Sequence, residues 1–272
     1  MSRDPIGQTI HESAARGFDR AAEAYERGRP GYPPAAISLL AAELKFGPGS
    51  TVVDLAAGTG KLTRELIATG ARVIAVEPVP GMRAQLERVT PSAEILTGTA
   101  EAIPLGDASA DAVLVAQAFH WFDTPVAARE IHRVLRPGGG LGVIWNIWDD
   151  SVEWVARMQR MVGAYRGDTP QRGTSAWREQ LRATELFTPL EERTLPHVVE
   201  GSLEVLLART ASVSFIATLA DAERAKLLDE VRALVGEEHA GSGEALTMPY
   251  VTQVTWCRAQ PSRRAHRPGT DG

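Results

Sequence analysis

Between residues 51 and 147, short apolar runs alternate with stretches of helix-forming residues, and Gly or Pro punctuates each change. The runs Thr51–Leu55, Arg72–Glu77, Ala93–Gly98, Asp111–Ala116 and Leu141–Ile147 predict strands. Lys61–Thr69, Met82–Val89 and Thr124–Leu135 predict the helices between them. Strands that are apolar throughout are buried on both faces, which a parallel sheet covered by helices provides. Right-handed crossovers leave few topologies for such an alternation. The expected fold class is therefore α/β: a Rossmann-like, doubly wound, mostly parallel sheet.

The flanks read differently. Glu12–Arg27 predicts a helix that stops at the Gly- and Pro-rich stretch 28–34, and Ala35–Lys45 predicts a second. The first 34 residues are either a helical lid over the crevice or a helix packed outside. After Trp148 the rhythm changes to helices (Asp149–Tyr165, Thr174–Thr184, Ser202–Ala211, Ala220–Val235) with strands at Leu190–Val199 and Ala245–Arg258, the latter broken by Pro249. This gives an expected division into a lid (1–34), a cofactor-binding core (35–148), a helical insertion that also completes the sheet (149–258) and a disordered tail (259–272).

Composition removes several classes of function. A net charge of −5 gives no electrostatic footprint for nucleic acid. One cysteine, Cys257, rules out an internal disulfide and a cysteine-built metal site, and the histidines lack metal-ligand spacing. No run approaches the roughly 18 apolar residues of a membrane span, and no signal peptide is visible, so a cytoplasmic protein is expected.

The first strand runs into Ala56-Ala57-Gly58-Thr59-Gly60 and then directly into a helix. Such a turn aims backbone N–H groups into the crevice beyond the strand. A dinucleotide fingerprint would need a third glycine where Thr63 stands, and a phosphate loop would need Ser or Thr where Leu62 stands. Glu77, about 20 residues on, is placed to accept hydrogen bonds from both hydroxyls of a ribose. It could also cap the helix after Pro80. Thr99–Pro104 follows the third strand and could meet an adenine edge.

Taken in order, Asp54–Gly60, Val76-Glu77-Pro78 with Met82, Thr99–Pro104, Asp111–Trp121 and Glu130–Gly139 resemble the successive motifs of class I S-adenosylmethionine-dependent methyltransferases. The similarity is to the small-molecule group near the UbiE-like and trans-aconitate methyltransferase-like enzymes, over about residues 15 to 147. It implies S-adenosyl-L-methionine as cofactor, S-adenosyl-L-homocysteine as product, and methyl transfer to O, N or C of a small organic acceptor by direct displacement. It implies that main chain at Ala56, Gly58 and Gly60 flanks the methionine and ribose, with Asp54 near the ammonium group. Glu77 would hold the ribose hydroxyls, Pro78 and Met82 the adenine face, Ala100 and Glu101 the adenine edge, and Gln117 and Ala118 the methionine part. Ala56 stands where the family has a glycine, which an alanine tolerates with negative φ.

Other residues fall at the mouth of that crevice. Tyr25, Arg29 and Tyr32 would close over the cofactor, with Tyr32 also facing the acceptor. His120 is the candidate general base, or else a structural histidine. Trp121 and Trp145 join it as candidate acceptor contacts, and the aromatic residues after Trp148 would complete the pocket. A monomer or homodimer is expected. Two rivals stay open at this point: a relative that binds the cofactor without transferring methyl (pericyclase-like or regulatory), and an NAD(P)-dependent oxidoreductase.

Overall fold

Strand β1 (Thr51–Leu55) is buried at every position and pairs in parallel on both of its edges, with β2 (Arg72–Val76) and β4 (Ala110–Ala116). That places it at the centre of a seven-stranded sheet of order β3-β2-β1-β4-β5-β7-β6. The remaining strands are β3 (Glu94–Leu96), β5 (Leu135–Trp148), β6 (Glu191–Gly201) and β7 (Leu246–Arg258). β7 runs antiparallel to both β5 and β6 and the other pairings are parallel. The structure is a computed structural model that describes residues 29–167, 176–238 and 246–261. The expected helix at Glu12–Arg27 and nearly all of the expected tail lie outside the described residues.

Side chains alternate across the sheet and build a core on each face. On one face Val53, Val113, Val115, Val143 and Trp145 pack against helix α4 (Thr124–Val134) through Ala127, Ile131 and Val134. Helix α6 (Ala176–Ala183) adds Trp177 and Leu181 to that face. On the other face Val52, Val73, Leu114 and Ile144 meet α1 (Pro34–Leu44) through Ile37, Leu40 and Leu44, and α2 (Lys61–Ile67) through Leu62 and Leu66. Leu40, Leu66 and Ile131 are fully buried, and each stabilises the fold by about 1.5–3 kcal/mol. Helix α3 (Pro80–Val89) follows β2.

A third core stands apart from these. Helices α5 (Glu153–Gly163), α7 (Leu203–Ala211) and α9 (Asp221–Glu238), with the short α8 (Ser214–Ala217), gather Met158, Leu206, Ile216, Leu227 and Val231. Met248 and Tyr250 at the start of β7 belong to the same cluster, which joins the helices to the sheet.

Several element boundaries differ from the sequence reading for identifiable reasons. α3 begins at Pro80, because a proline at the first helical position gives up an N–H that has no partner there anyway. β5 begins at Leu135: Leu135 pairs with Ala110 and Gly140 with Ala112, so residues 136–139 bulge out of the ladder. β7 is not broken at Pro249. Its pairing with β5 ends at Tyr250, and Pro249 faces only Val198 of β6, so the missing N–H interrupts no ladder on the β5 side. Pro196 sits on β6, which is the edge strand.

Candidate active site

The chain leaves β1 toward β2 and leaves β4 toward β5, on opposite sides, so the loops beyond these two adjacent strands diverge and open a crevice. Both loops begin with a non-glycine residue in the left-handed region, Ala56 at φ 58° and Gln117 at φ 59°. Such a residue costs about 1–3 kcal/mol and persists where surrounding structure holds it, commonly at functional sites. The expectation that Ala56 takes negative φ is thus corrected. Its position demands the conformation that glycine adopts freely, and the N–H of Ala57, donated to the Val76 carbonyl at 3.1 Å, fixes the turn.

The two glycines of the turn do different things. Gly58, at φ 59°, has no atom within 4 Å of where a Cβ would sit, so its main chain faces open crevice. Gly60, at φ 88°, would put a Cβ 2.7 Å from Leu86 Cδ1 and 3.2 Å from Thr90 Cγ2. It therefore lets the turn lie against α3, and as N-cap it starts α2. The sequence places Gly60 beside the cofactor; the structure places its Cα face against a helix.

Two buried acids lie behind the turn. Glu77 accepts from the Gly58 N–H through Oε2 and from the Val79 N–H through Oε1, each at 2.8 Å. Val79 is the N-cap residue of α3, so this carboxylate anchors the helix start as well as the first turn. Asp54 is fully buried and accepts from the Thr63 hydroxyl at 2.6 Å through Oδ2, while its Oδ1 has no partner among the described residues. Burial pushes the Asp54 carboxyl up to about 7, with the nearby Glu77 charge adding to it and Thr63 opposing. Burial likewise pushes Glu77 up to about 7 against the Val79 and Gly58 N–H groups and the Arg83 charge.

The segment after β3 is held from α4. Arg133 donates to the carbonyls of Ile103 (3.0 Å) and Leu105 (2.7 Å), and Glu130 accepts from the Ile103 N–H at 3.0 Å. The Arg133 fork also pairs with Glu130, which holds the Glu130 carboxyl below the usual range. On this pinned segment Ala100 is buried and Glu101 accepts from the Asp123 N–H at 3.0 Å. Met82 is buried and Pro78 half-buried on the β2 side. Arg83 donates to the carbonyls of Glu77 and Pro78, fixing that loop.

Beyond β4 and the half-buried Ala118, a single 3-10 turn, Phe119–Trp121, presents the half-buried His120 and Trp121. The His120 ring centroid lies 4.5 Å from that of Trp121 and 5.4 Å from that of Trp145. Trp145 itself is only 2% exposed and belongs to the core beside Phe119 and Trp177. It backs His120 and does not line the open crevice.

The crevice is bounded by the turn 56–62, by Ala116, Gln117 and Asn146, by Arg29, Pro30 and Tyr32 ahead of α1, and by Arg209 from α7. Tyr25 lies outside the described residues. Arg29 is 8% exposed and donates to the Ser212 carbonyl at 3.4 Å. Asn146 donates to the Gly31 carbonyl at 2.8 Å and accepts from the Thr252 hydroxyl at 2.7 Å, so one amide links the segment before α1 to β5 and β7. The enclosed volume is about 40 Å³. A nucleoside ligand needs roughly 300 Å³ or more, so most of it must occupy the open mouth of the crevice.

Sequence reasoning did not single out Asn146 or Arg209. Each left a signal: a lone amide in the apolar run 141–148, and a cation on the face of α7 that carries Leu206. Among the described residues no cluster of ligating side chains suits a metal, and no helix is long and apolar enough to cross a membrane.

Comparison with known proteins agrees with this geometry. Residues 53–143 match the family described as "Methyltransferase domain". An uncharacterized methyltransferase of Mycobacterium tuberculosis is 42% identical over 237 residues, covering 86% of this chain and 92% of the relative. A structure from Anaeromyxobacter dehalogenans, assigned as a type II methyltransferase, superposes with a TM-score of 0.64 at 25% identity, covering 85% of this chain and 97% of that one. The fold is also that of a Haemonchus contortus phosphoethanolamine N-methyltransferase bound to S-adenosylhomocysteine. There the TM-score is 0.56 at 16% identity, over 95% of this chain and 61% of that one.

Proposed function

Since the chain belongs to the methyltransferase domain family, we propose that its crevice takes S-adenosylmethionine and that the enzyme moves the methyl group onto O, N or C of a small organic acceptor. The observation that carries the cofactor assignment is the pair of buried acids behind the first turn. Asp54 Oδ1 is a buried acceptor without a partner among the described residues, suited to an ammonium group. Glu77 uses one lone pair of each oxygen on backbone, which leaves the others for two ribose hydroxyls. The open face of Gly58 lets a ligand reach the main chain between them. These features fit the amino-acid and ribose parts of that cofactor.

When bound, the cofactor supplies a sulfonium methyl already activated for displacement. The protein's task is then alignment and exclusion of water. Met82 and Pro78 offer an apolar face for adenine, with the pinned segment around Ala100 and Glu101 at its edge. Gln117 and Ala118, just beyond the end of β4, would flank the methionine part. Arg29 and Tyr32 would close the crevice from ahead of α1, and 149–258 would supply the acceptor pocket together with Trp121. His120 Nε2 or Nδ1 would take a proton from a hydroxyl or amine acceptor. A lone cysteine that can form no internal disulfide suits a reducing, cytoplasmic setting.

Calorimetric titration with S-adenosylhomocysteine tests the cofactor assignment. Saturable one-site binding that weakens in Glu77→Ala is expected. Absence of binding to the folded protein overturns the reading, and binding of NAD in its place would return the oxidoreductase.

A further inference from the structure

Arg209 stands out among the charged residues of the molecule. It is 3% exposed, it lines the crevice, and its Nε and Nη1 are buried with no hydrogen-bond partner among the described residues. A guanidinium keeps its charge at any physiological pH, so it cannot escape burial by losing a proton. A buried cation without a counter-charge is strongly unfavourable. Its place in the last turn of α7, at the negative end of the helix dipole, offsets only part of that.

The surroundings sharpen the imbalance. Among the described residues that line the crevice with Arg209 there is no Asp or Glu. Arg29 reaches the Ser212 carbonyl, one turn beyond Arg209, so two guanidinium groups converge on the C-terminal end of α7. The cofactor proposed above brings one carboxylate but also a sulfonium and an ammonium, which leaves it with a net positive charge. It brings no net negative charge to set against Arg209.

We infer that Arg209 is the oxyanion-binding residue of the acceptor site, so that the methyl acceptor carries a carboxylate or phosphate group. A guanidinium presents parallel N–H donors that match the two oxygens of either group. The inference rests on the methyltransferase reading and narrows it: neutral and cationic acceptors would leave the Arg209 charge uncompensated. Because α7 belongs to the helical cluster outside the sheet's parallel half, this recognition is supplied by the part of the chain expected to form the acceptor pocket.

The test uses the full chain saturated with S-adenosylhomocysteine, titrated calorimetrically with succinate, inorganic phosphate and neutral succinamide. Succinate or phosphate is expected to bind with a dissociation constant of about 1 mM or tighter, and succinamide at least about tenfold more weakly. The tighter of the two anions identifies the group. Arg209→Met should weaken anion binding at least about tenfold. Arg209→Lys, which keeps the charge and loses the fork, should fall between and serves alone if the methionine variant does not fold. The inference is overturned if neither anion binds, or if both variants bind the anions like wild type. It is also overturned if Arg209→Met loses S-adenosylhomocysteine by about tenfold or more, which would assign this arginine to the cofactor's carboxylate. The first titration separates the two readings, since failure to bind S-adenosylhomocysteine at all refutes the methyltransferase reading before any anion is added.

Discussion

The Gly58 N–H donates to Glu77 Oε2 at 2.8 Å and so ties the turn after β1 to the end of β2. One carboxylate thereby fixes both the turn after β1 and the start of α3, because its other oxygen holds Val79. Glu77→Ala should act in two ways. It leaves two N–H groups unsatisfied, lowering stability by about 1–3 kcal/mol, and it removes the ribose acceptor, weakening S-adenosylhomocysteine by a similar energy. Chemical denaturation of the free protein and calorimetry of the complex read the two losses separately. A variant that loses stability but binds normally would confine Glu77 to a structural role.

The same acids set a pH dependence. In the unfolded chain Asp54 and Glu77 ionise near 3.8 and 4.5, and in the fold both are pushed up to about 7. The folded state therefore holds the extra protons between these values, so the stability these groups contribute is full below about pH 4 and declines as pH rises to about 7. Cofactor binding runs the opposite way, because an ammonium group and ribose hydroxyls need ionised carboxylates. Affinity for S-adenosylhomocysteine should rise about tenfold from pH 6 to pH 8 for one such group. Asp54→Asn should flatten the profile. A flat wild-type profile would detach the acids from binding.

Ala56 occupies the left-handed region at φ 58° where the resembling family carries glycine. An L-residue there costs about 1–2 kcal/mol, and glycine's greater chain entropy returns about 0.5–1 kcal/mol of that. Ala56→Gly should therefore raise stability by about 0.5–1 kcal/mol, measured by thermal or urea unfolding, with little change in cofactor affinity. Destabilisation would mean that the alanine methyl makes a contact worth more than the strain.

Much of this was legible in the sequence where local chemistry decides. Val52-Val53 and Val113-Leu114-Val115, in short β-branched runs between turn residues and helices, read as strands buried on both faces, and Glu77 is marked by its distance from the first turn. What escaped depends on residues far apart in the chain. Arg29 meets Ser212 across a separation of 183 residues, and Asn146 meets Thr252 across 106; neither pairing has a local pattern. The φ of Ala56 escaped because it is imposed by the path of the chain out of β1, against the preference of the residue. Pro249 misled because a proline breaks a ladder only where its N–H is needed, and that depends on where β5 ends.

His120 offers the sharpest division between chemistry and scaffolding. The 3-10 turn Phe119–Trp121 sets its ring between Trp121 and Trp145, at centroid distances of 4.5 and 5.4 Å. Such packing would hold a base in one orientation, and it would equally be the surroundings of a residue that only fills space. Replacement by alanine removes both the ring and the basic nitrogen; replacement by asparagine keeps a polar, hydrogen-bonding side chain without the basicity. If His120 accepts the acceptor's proton, both variants should lose about 10²–10⁴-fold in turnover. Both should bind S-adenosylhomocysteine within about threefold of wild type, and the rate of each should lose the acid limb of its pH profile. If His120 is scaffolding, alanine should lower the unfolding midpoint while asparagine turns over at close to the wild-type rate. Measuring kcat, cofactor affinity and unfolding on the same two variants decides between them.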